Sequence, residues 1–177
     1  MEERDYRALS EQDLQELLDP SDKELRRFLK TGNGKYAVYQ ERLIAVCLCQ
    51  GAAKHFLDQQ TGVKDIDIWF FFEEHDLVRI SNFRNARKSL VLALPRFGTK
   101  RIDFMKKSVP QRLCIREGRE GTIRNYLDNA NTEASTRLSE KPVIGLYPQD
   151  IFGRILCEGS EWLGGPNLRP VLLDDRR

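Results

Sequence analysis

The chain has 177 residues, 40% hydrophobic and 32% charged, with 29 lysines and arginines against 27 aspartates and glutamates, a net charge of +2. That is enough chain for one domain with its own core, and the composition excludes collagenous, low-complexity and disordered classes. Near-neutrality argues against a polybasic nucleic-acid clamp and against an acidic solvating protein, while leaving room for a local patch.

The start, MEERDYRALSEQ, is charged and acidic where a secretory signal needs a basic start and an apolar run. The longest apolar runs, Leu43 to Cys49 and Ile66 to Phe72, are strand-sized and too short to span a bilayer. Cys47, Cys49, Cys114 and Cys157 are too few and too scattered for a disulfide framework. With only His55 and His75 beside them, a Cys/His metal site is not expected either. The expectation is a protein of a reducing cytoplasm with no membrane contact.

Two short helices open the chain. Ser10 with Asp13, and Ser21 with Glu24, each place a capping hydroxyl three residues ahead of a carboxylate. Leu14, Leu17 and Leu18 form one apolar stripe, and Leu25, Phe28 and Leu29 the next. Thr31-Gly32-Asn33-Gly34 closes the second helix with residues that tolerate positive φ. Leu43 to Cys49 is apolar on both alternating faces, the pattern of a central strand buried on both sides. Gln50-Gly51 breaks it, and residues 52–60 read as a helix with Gly62 near its C-terminal end. A second strand follows from Asp65 to Phe72 and a third near Thr99 to Met105. Between them lie a polar, basic connection, Ile80 to Ser89, for which helix is one reading, and Leu90 to Leu94, for which strand is one reading. A helix around Gly121 to Asn129, an extended stretch over Pro142 to Tyr147 and a poorly ordered tail over 164–177 complete the chain. The expected fold is α+β with α/β-like alternation, a small mixed sheet with helices packed on it. One domain spans 1–177, with N-terminal helices in 1–35 and the core motifs in 36–110.

The chemistry sits in Cys49-Gln50-Gly51-Ala52-Ala53 and Val63-Lys64-Asp65-Ile66-Asp67-Ile68-Trp69. Side chains alternate along a strand, so Asp65 and Asp67 share one face, about 6–7 Å apart, while Ile66 and Ile68 take the other. Two carboxylates so placed repel unless a cation sits between them, and both can reach one divalent ion. Mg²⁺ suits them, since it takes one or two carboxylates and completes its shell with water and phosphate oxygens; Mn²⁺ is the alternative. Asp103, between apolar Ile102 and Phe104 on the third strand, can be turned toward the pair. Three such acids are what two-metal phosphoryl or nucleotidyl transfer needs, two for the ions and one to help deprotonate an acceptor hydroxyl. A strand ending at Gly51 and turning into a helix lets backbone N–H groups approach phosphates closely.

These residues resemble the nucleotidyltransferase superfamily, the DNA polymerase β-like fold. The resemblance rests on Gly51-Ala52, Asp65-Ile66-Asp67-Ile68 and the later Ile102-Asp103-Phe104, and covers roughly residues 41–107. It implies that Asp65, Asp67 and Asp103 hold the metals and carry catalysis. Gly51 and Ala52 would lie by the triphosphate, with Gln50, Lys54 and Arg101 beside them. A nucleotidyltransferase of this kind moves an NMP group from an NTP to an acceptor hydroxyl. Small stand-alone members modify tRNA, proteins or small molecules, and some act as toxins beside an antitoxin partner. Position 52 is Ala where active members often carry Ser or Gly, which motivates the alternative of a catalytically silent relative that binds nucleotide or RNA.

Plainer readings stand beside each of these. Asp65 can mark a strand start, Asp67 can face solvent, and Arg101 can simply pair with Asp103 across one face. His55 reads more readily as a packed or surface histidine than as a catalytic one, and Trp69 to Phe72 as core. Between Arg79 and Lys107 lie nine basic residues and the single acid Asp103, a local charge of +8 that leaves −6 for the rest. Such a segment is either a solvated basic face or a field that attracts a triphosphate, tRNA or another polyanion. Asn82-Phe83-Arg84-Asn85 sets one aromatic among its cations, thin support for base stacking.

Overall fold

A computed structural model of the protein describes residues 4–80, 88–95, 98–115 and 118–160. The capping signal at Ser10 acts as expected: the Asp13 carboxylate accepts from the Ser10 backbone N–H and from its hydroxyl, both at 2.6 Å, and starts α1 (Glu11–Glu16). The second signal does not. Helix α2 (Leu18–Lys30) begins ahead of Ser21, whose hydroxyl instead donates to the Leu17 carbonyl at 2.6 Å. Glu24 faces inward, where its carboxylate accepts from Lys106 and, in a bidentate pair at 2.6 and 2.7 Å, from Arg27. The Ser21-Glu24 spacing is that of a cap, but Glu24 is a buried counter-ion. The turn after α2 takes positive φ at Gly32, Asn33 and Gly34, and a 3₁₀ stretch (Lys35–Arg42) then leads into the sheet.

Strand β1 (Leu43–Cys49) coincides with the apolar run, α3 (Gln50–Asp58) follows without a gap, and β2 (Ile66–Glu73) starts just after Asp65. Leu90 to Leu94 belongs to β3 (Lys88–Leu94), and β4 (Gly98–Val109) extends past Met105. Of the connection from Ile80 to Ser89, residues 81–87 lie outside the described residues, as does the tail over 164–177. Beyond β4 come α4 (Arg119–Asn129), α5 (Glu133–Ser139), β5 (Val143–Tyr147) and β6 (Ile155–Cys157).

The fold is α+β, with one mixed six-stranded sheet in the order β3-β4-β2-β1-β5-β6. Only β2 and β4 pair in parallel; the other neighbours are antiparallel. Period-two alternation divides the strands between two cores. Val46, Leu48, Ile66, Ile68, Phe70, Ile102 and Phe104 face α1, α2 and α3. Cys47, Cys49, Trp69, Phe71 and Met105 face α4 and α5. Covered on both sides, β1 and β2 can be apolar throughout, as the sequence has them. No helix among the described residues is long and apolar enough to cross a membrane.

Candidate functional site

Antiparallel pairing sets the end of β1 beside the start of β2, and parallel pairing carries that neighbourhood on to β4. Cys49 stands opposite Asp67, Asp67 opposite Asp103, and Asp103 opposite Ser89 on β3. In-register residues of neighbouring strands share a face, so these four form one row across four strands. Asp67 and Asp103 are thus abreast, with backbones about 4.8 Å apart, on the face that also carries Trp69 and Met105.

Asp103 is the most enclosed of the three acids, its side chain only 2% exposed. Burying a carboxylate requires compensation, and Ser89 and Arg101 contribute to it. Ser89 Oγ donates to Oδ1 at 2.5 Å, and Arg101 Nη2 donates to Oδ2 at 2.7 Å. The same Nη2 lies 3.5 Å from Asp65 Oδ2. Arg101 therefore bridges two of the three acids, and its pairing with Asp103 was one of the open readings of the sequence. Ser89 carried no sequence signal, because nothing in a run of Lys-Ser-Leu-Val marks which serine will lie opposite an aspartate. Cys49, the fourth member of the row, is buried; burial first, then Cys47 and Asp67, push its thiol well above the ordinary range. It stays protonated at neutral pH and serves as packing.

At the β1–α3 turn Gln50 takes φ +60°, a left-handed conformation that non-glycine residues adopt at a cost. Its side chain does not turn toward the acids: Nε2 donates to the Arg137 carbonyl at 3.1 Å and ties the turn to α5. A Cβ at Gly51 would meet nothing within 4 Å, so that backbone is open to an approaching group. Ala52 is buried in the α3-side core, backbone as well as methyl. Lys54 is half-buried in the first turn of α3.

His55 is buried with both ring nitrogens in use. Nδ1 accepts from the Gly62 N–H at 3.0 Å, which makes Nε2, 2.8 Å from the Arg7 carbonyl, the protonated nitrogen. It fastens the N-terminal segment to the loop after α3, the packed reading of this residue. Trp69 to Phe72 are likewise buried.

The basic segment is partly neutralised by acids within it and far away in sequence. Lys100 lies 3.5 Å from Asp5, Arg101 holds Asp103 and Asp65, and Lys106 holds Glu24. Burial lowers the Lys107 pKa, and Arg79 is exposed. Phe83, Arg84, Arg87 and Arg96 lie outside the described residues.

Among the described residues, no three His, Cys, Asp or Glu side chains gather closely enough to hold a metal ion. The three expected acids are divided: Asp67 and Asp103 are abreast, while Asp65 and Asp103 share the Arg101 guanidinium. Asp67 and Asp103 carry oxygen donors, the type a hard ion such as Mg²⁺ or Mn²⁺ takes, with both Asp103 oxygens engaged by Ser89 and Arg101. Such an ion uses one or two carboxylates and takes its other ligands from phosphate and water. Comparison with family models, with curated proteins and with solved structures finds no match for the chain.

Proposed function

We propose that this protein is a Mg²⁺- or Mn²⁺-dependent nucleotidyltransferase of the DNA polymerase β-like kind, moving an NMP group from an NTP to an acceptor hydroxyl. The observation that carries the reading is Asp67 and Asp103 abreast on β2 and β4, beside a strand that ends at the open Gly51 backbone and turns into α3. The Gly51 backbone receives the triphosphate, with Ala52 packed directly behind it, where the first turn of a helix favours negative charge. Lys54 and Arg101 supply positive charge to the same phosphates. Asp67 and Asp103 would hold the ion, which when bound neutralises phosphate charge and stabilises the leaving pyrophosphate. The acceptor oxygen forms its bond to the α-phosphorus as the α–β bridging bond breaks, and its proton passes to a carboxylate of the row. Each labelled NTP, incubated with Mg²⁺ or Mn²⁺ and cell extract, is expected to label an acceptor, whose size distinguishes tRNA, protein and small molecule. Asp67→Asn and Asp103→Asn should each reduce labelling by about 100-fold or more. Full transfer by both variants would sink the proposal.

A second reading, a silent relative that binds nucleotide or RNA without turnover, is favoured by Ala52, whose buried methyl offers no hydroxyl to a phosphate. Calorimetric titration with NTP separates the two. Binding of equal strength with and without Mg²⁺, and no transfer, selects the silent protein. A cytoplasmic location and an antitoxin-type partner belong to the same proposal, and co-purification from the native cell tests the latter.

A further inference from the structure

Arg101 stands where a cation is needed in this site, and the geometry points to a latch. Its Nη2 is 2.7 Å from Asp103 Oδ2 and 3.5 Å from Asp65 Oδ2, while 39% of its side chain remains exposed. Nη2 thus faces both carboxylates, while the side chain as a whole stays partly open to solvent. A guanidinium carries five donors in a rigid fork, suited to carboxylate on one edge and phosphate on another. We infer that Arg101 is the resident counter-ion of Asp103 and Asp65, competing with a divalent metal for them, and that a triphosphate draws it away. This inference rests on the nucleotidyltransferase reading for the identity of the anion.

The consequence is ordered occupancy. Without nucleotide, a divalent ion must displace a fixed positive charge held at hydrogen-bond distance from a carboxylate that is almost fully enclosed. With the triphosphate engaged, the guanidinium has a competing anion, and Asp103 becomes available as an oxygen ligand. Metal and nucleotide then favour each other's binding reciprocally. The latch also accounts for the division of the three acids, because the residue that holds Asp65 and Asp103 is the residue that must leave.

The test is a pair of opposed shifts in Arg101→Met. Mn²⁺ binding, followed by the electron paramagnetic resonance of the free ion with no nucleotide present, should become roughly tenfold tighter or more. Binding of ATP and of GTP in EDTA, followed by calorimetry, should become roughly tenfold weaker. Arg101→Lys should show the same opposed shifts at smaller size, since an ammonium keeps the charge but lacks the planar fork of donors; it carries the test should the Met variant not fold. Asp103→Asn added to Arg101→Met should remove the gain in Mn²⁺ affinity. Equal affinities, or shifts in the same direction for metal and triphosphate, overturn the latch. Opposed shifts in a wild-type protein that transfers no nucleotide would retain the latch and reject the enzyme reading alone.

Discussion

Lys106 and Glu24 form the most consequential side-chain contact outside the row, each side chain only 1% exposed. The ammonium also lies 5.5–6.0 Å from the ring centres of Phe28, Phe70 and Phe104, so it is held by a carboxylate and three aromatic faces. Arg27 would still hold Glu24 if Lys106 were lost, whereas losing Glu24 takes the carboxylate from a buried ammonium: Glu24→Leu should cost about 3 kcal/mol in urea unfolding, and Glu24→Leu with Lys106→Met much less. For Glu24, burial raises the pKa, and the hydrogen bonds from Arg27 and Lys106 outweigh it, so the folded value lies below the ordinary 4.5. The stability this carboxylate contributes is complete above 4.5 and is lost as pH falls toward the folded value. Glu24→Gln should therefore flatten the stability–pH profile in that acid window, read by urea midpoints at successive pH values. At this scale the sequence was readable where alternation decides the outcome. It put Asp67 and Asp103 on strands with their apolar neighbours facing the opposite core. It could not place Arg101 between Asp65 and Asp103, or Lys106 against Glu24, because those contacts depend on register and on which helix packs over which strand.

Among the elements, the two Ser-x-x-acid motifs provide a controlled comparison. Ser10→Ala removes half of a working capping box and should cost about 1 kcal/mol, while Ser21→Ala should cost about half that or less, both from denaturant midpoints. Gly145 on β5 makes a different demand. A Cβ there would lie 2.1 Å from the Ile151 carbonyl oxygen, so strand and following 3₁₀ turn approach as only glycine allows. Gly145→Ala should destabilise by about 3 kcal/mol, visible as a lowered thermal midpoint. The unbroken apolar run of β1 and the helix now α4 were legible along the chain. The 3₁₀ stretch over Lys35–Arg42, the seven-residue α5 and the three-residue β6 were not, since each is too short or too polar to set a period of its own.

For the molecule as a whole, charge is paired between distant segments. The +8 counted from Arg79 to Lys107 is offset in space by Asp5 and Glu24 from the N-terminal region, as well as by Asp65. The same N-terminal region pairs Asp5 with Val63 and lends the Arg7 carbonyl to His55. Deleting residues 1–9 should therefore lower the thermal midpoint by roughly 5 °C or more in calorimetry, although no residue of the acidic row is touched.

The parallel β2–β4 pairing joins segments that no hairpin connects, with Asp67 set against Asp103 in that register. Non-local pairings of this kind are slow to form, because the intervening loop must close before the contact rewards it. A ligand seated across the two carboxylates would then have nothing to grip until the sheet is nearly complete. Its effect would be on lifetime: stopped-flow kinetics with ligand should show slower unfolding and an almost unchanged folding rate. A protein built this way protects its bound state by persistence, with a bound ligand acting as a brake on its loss.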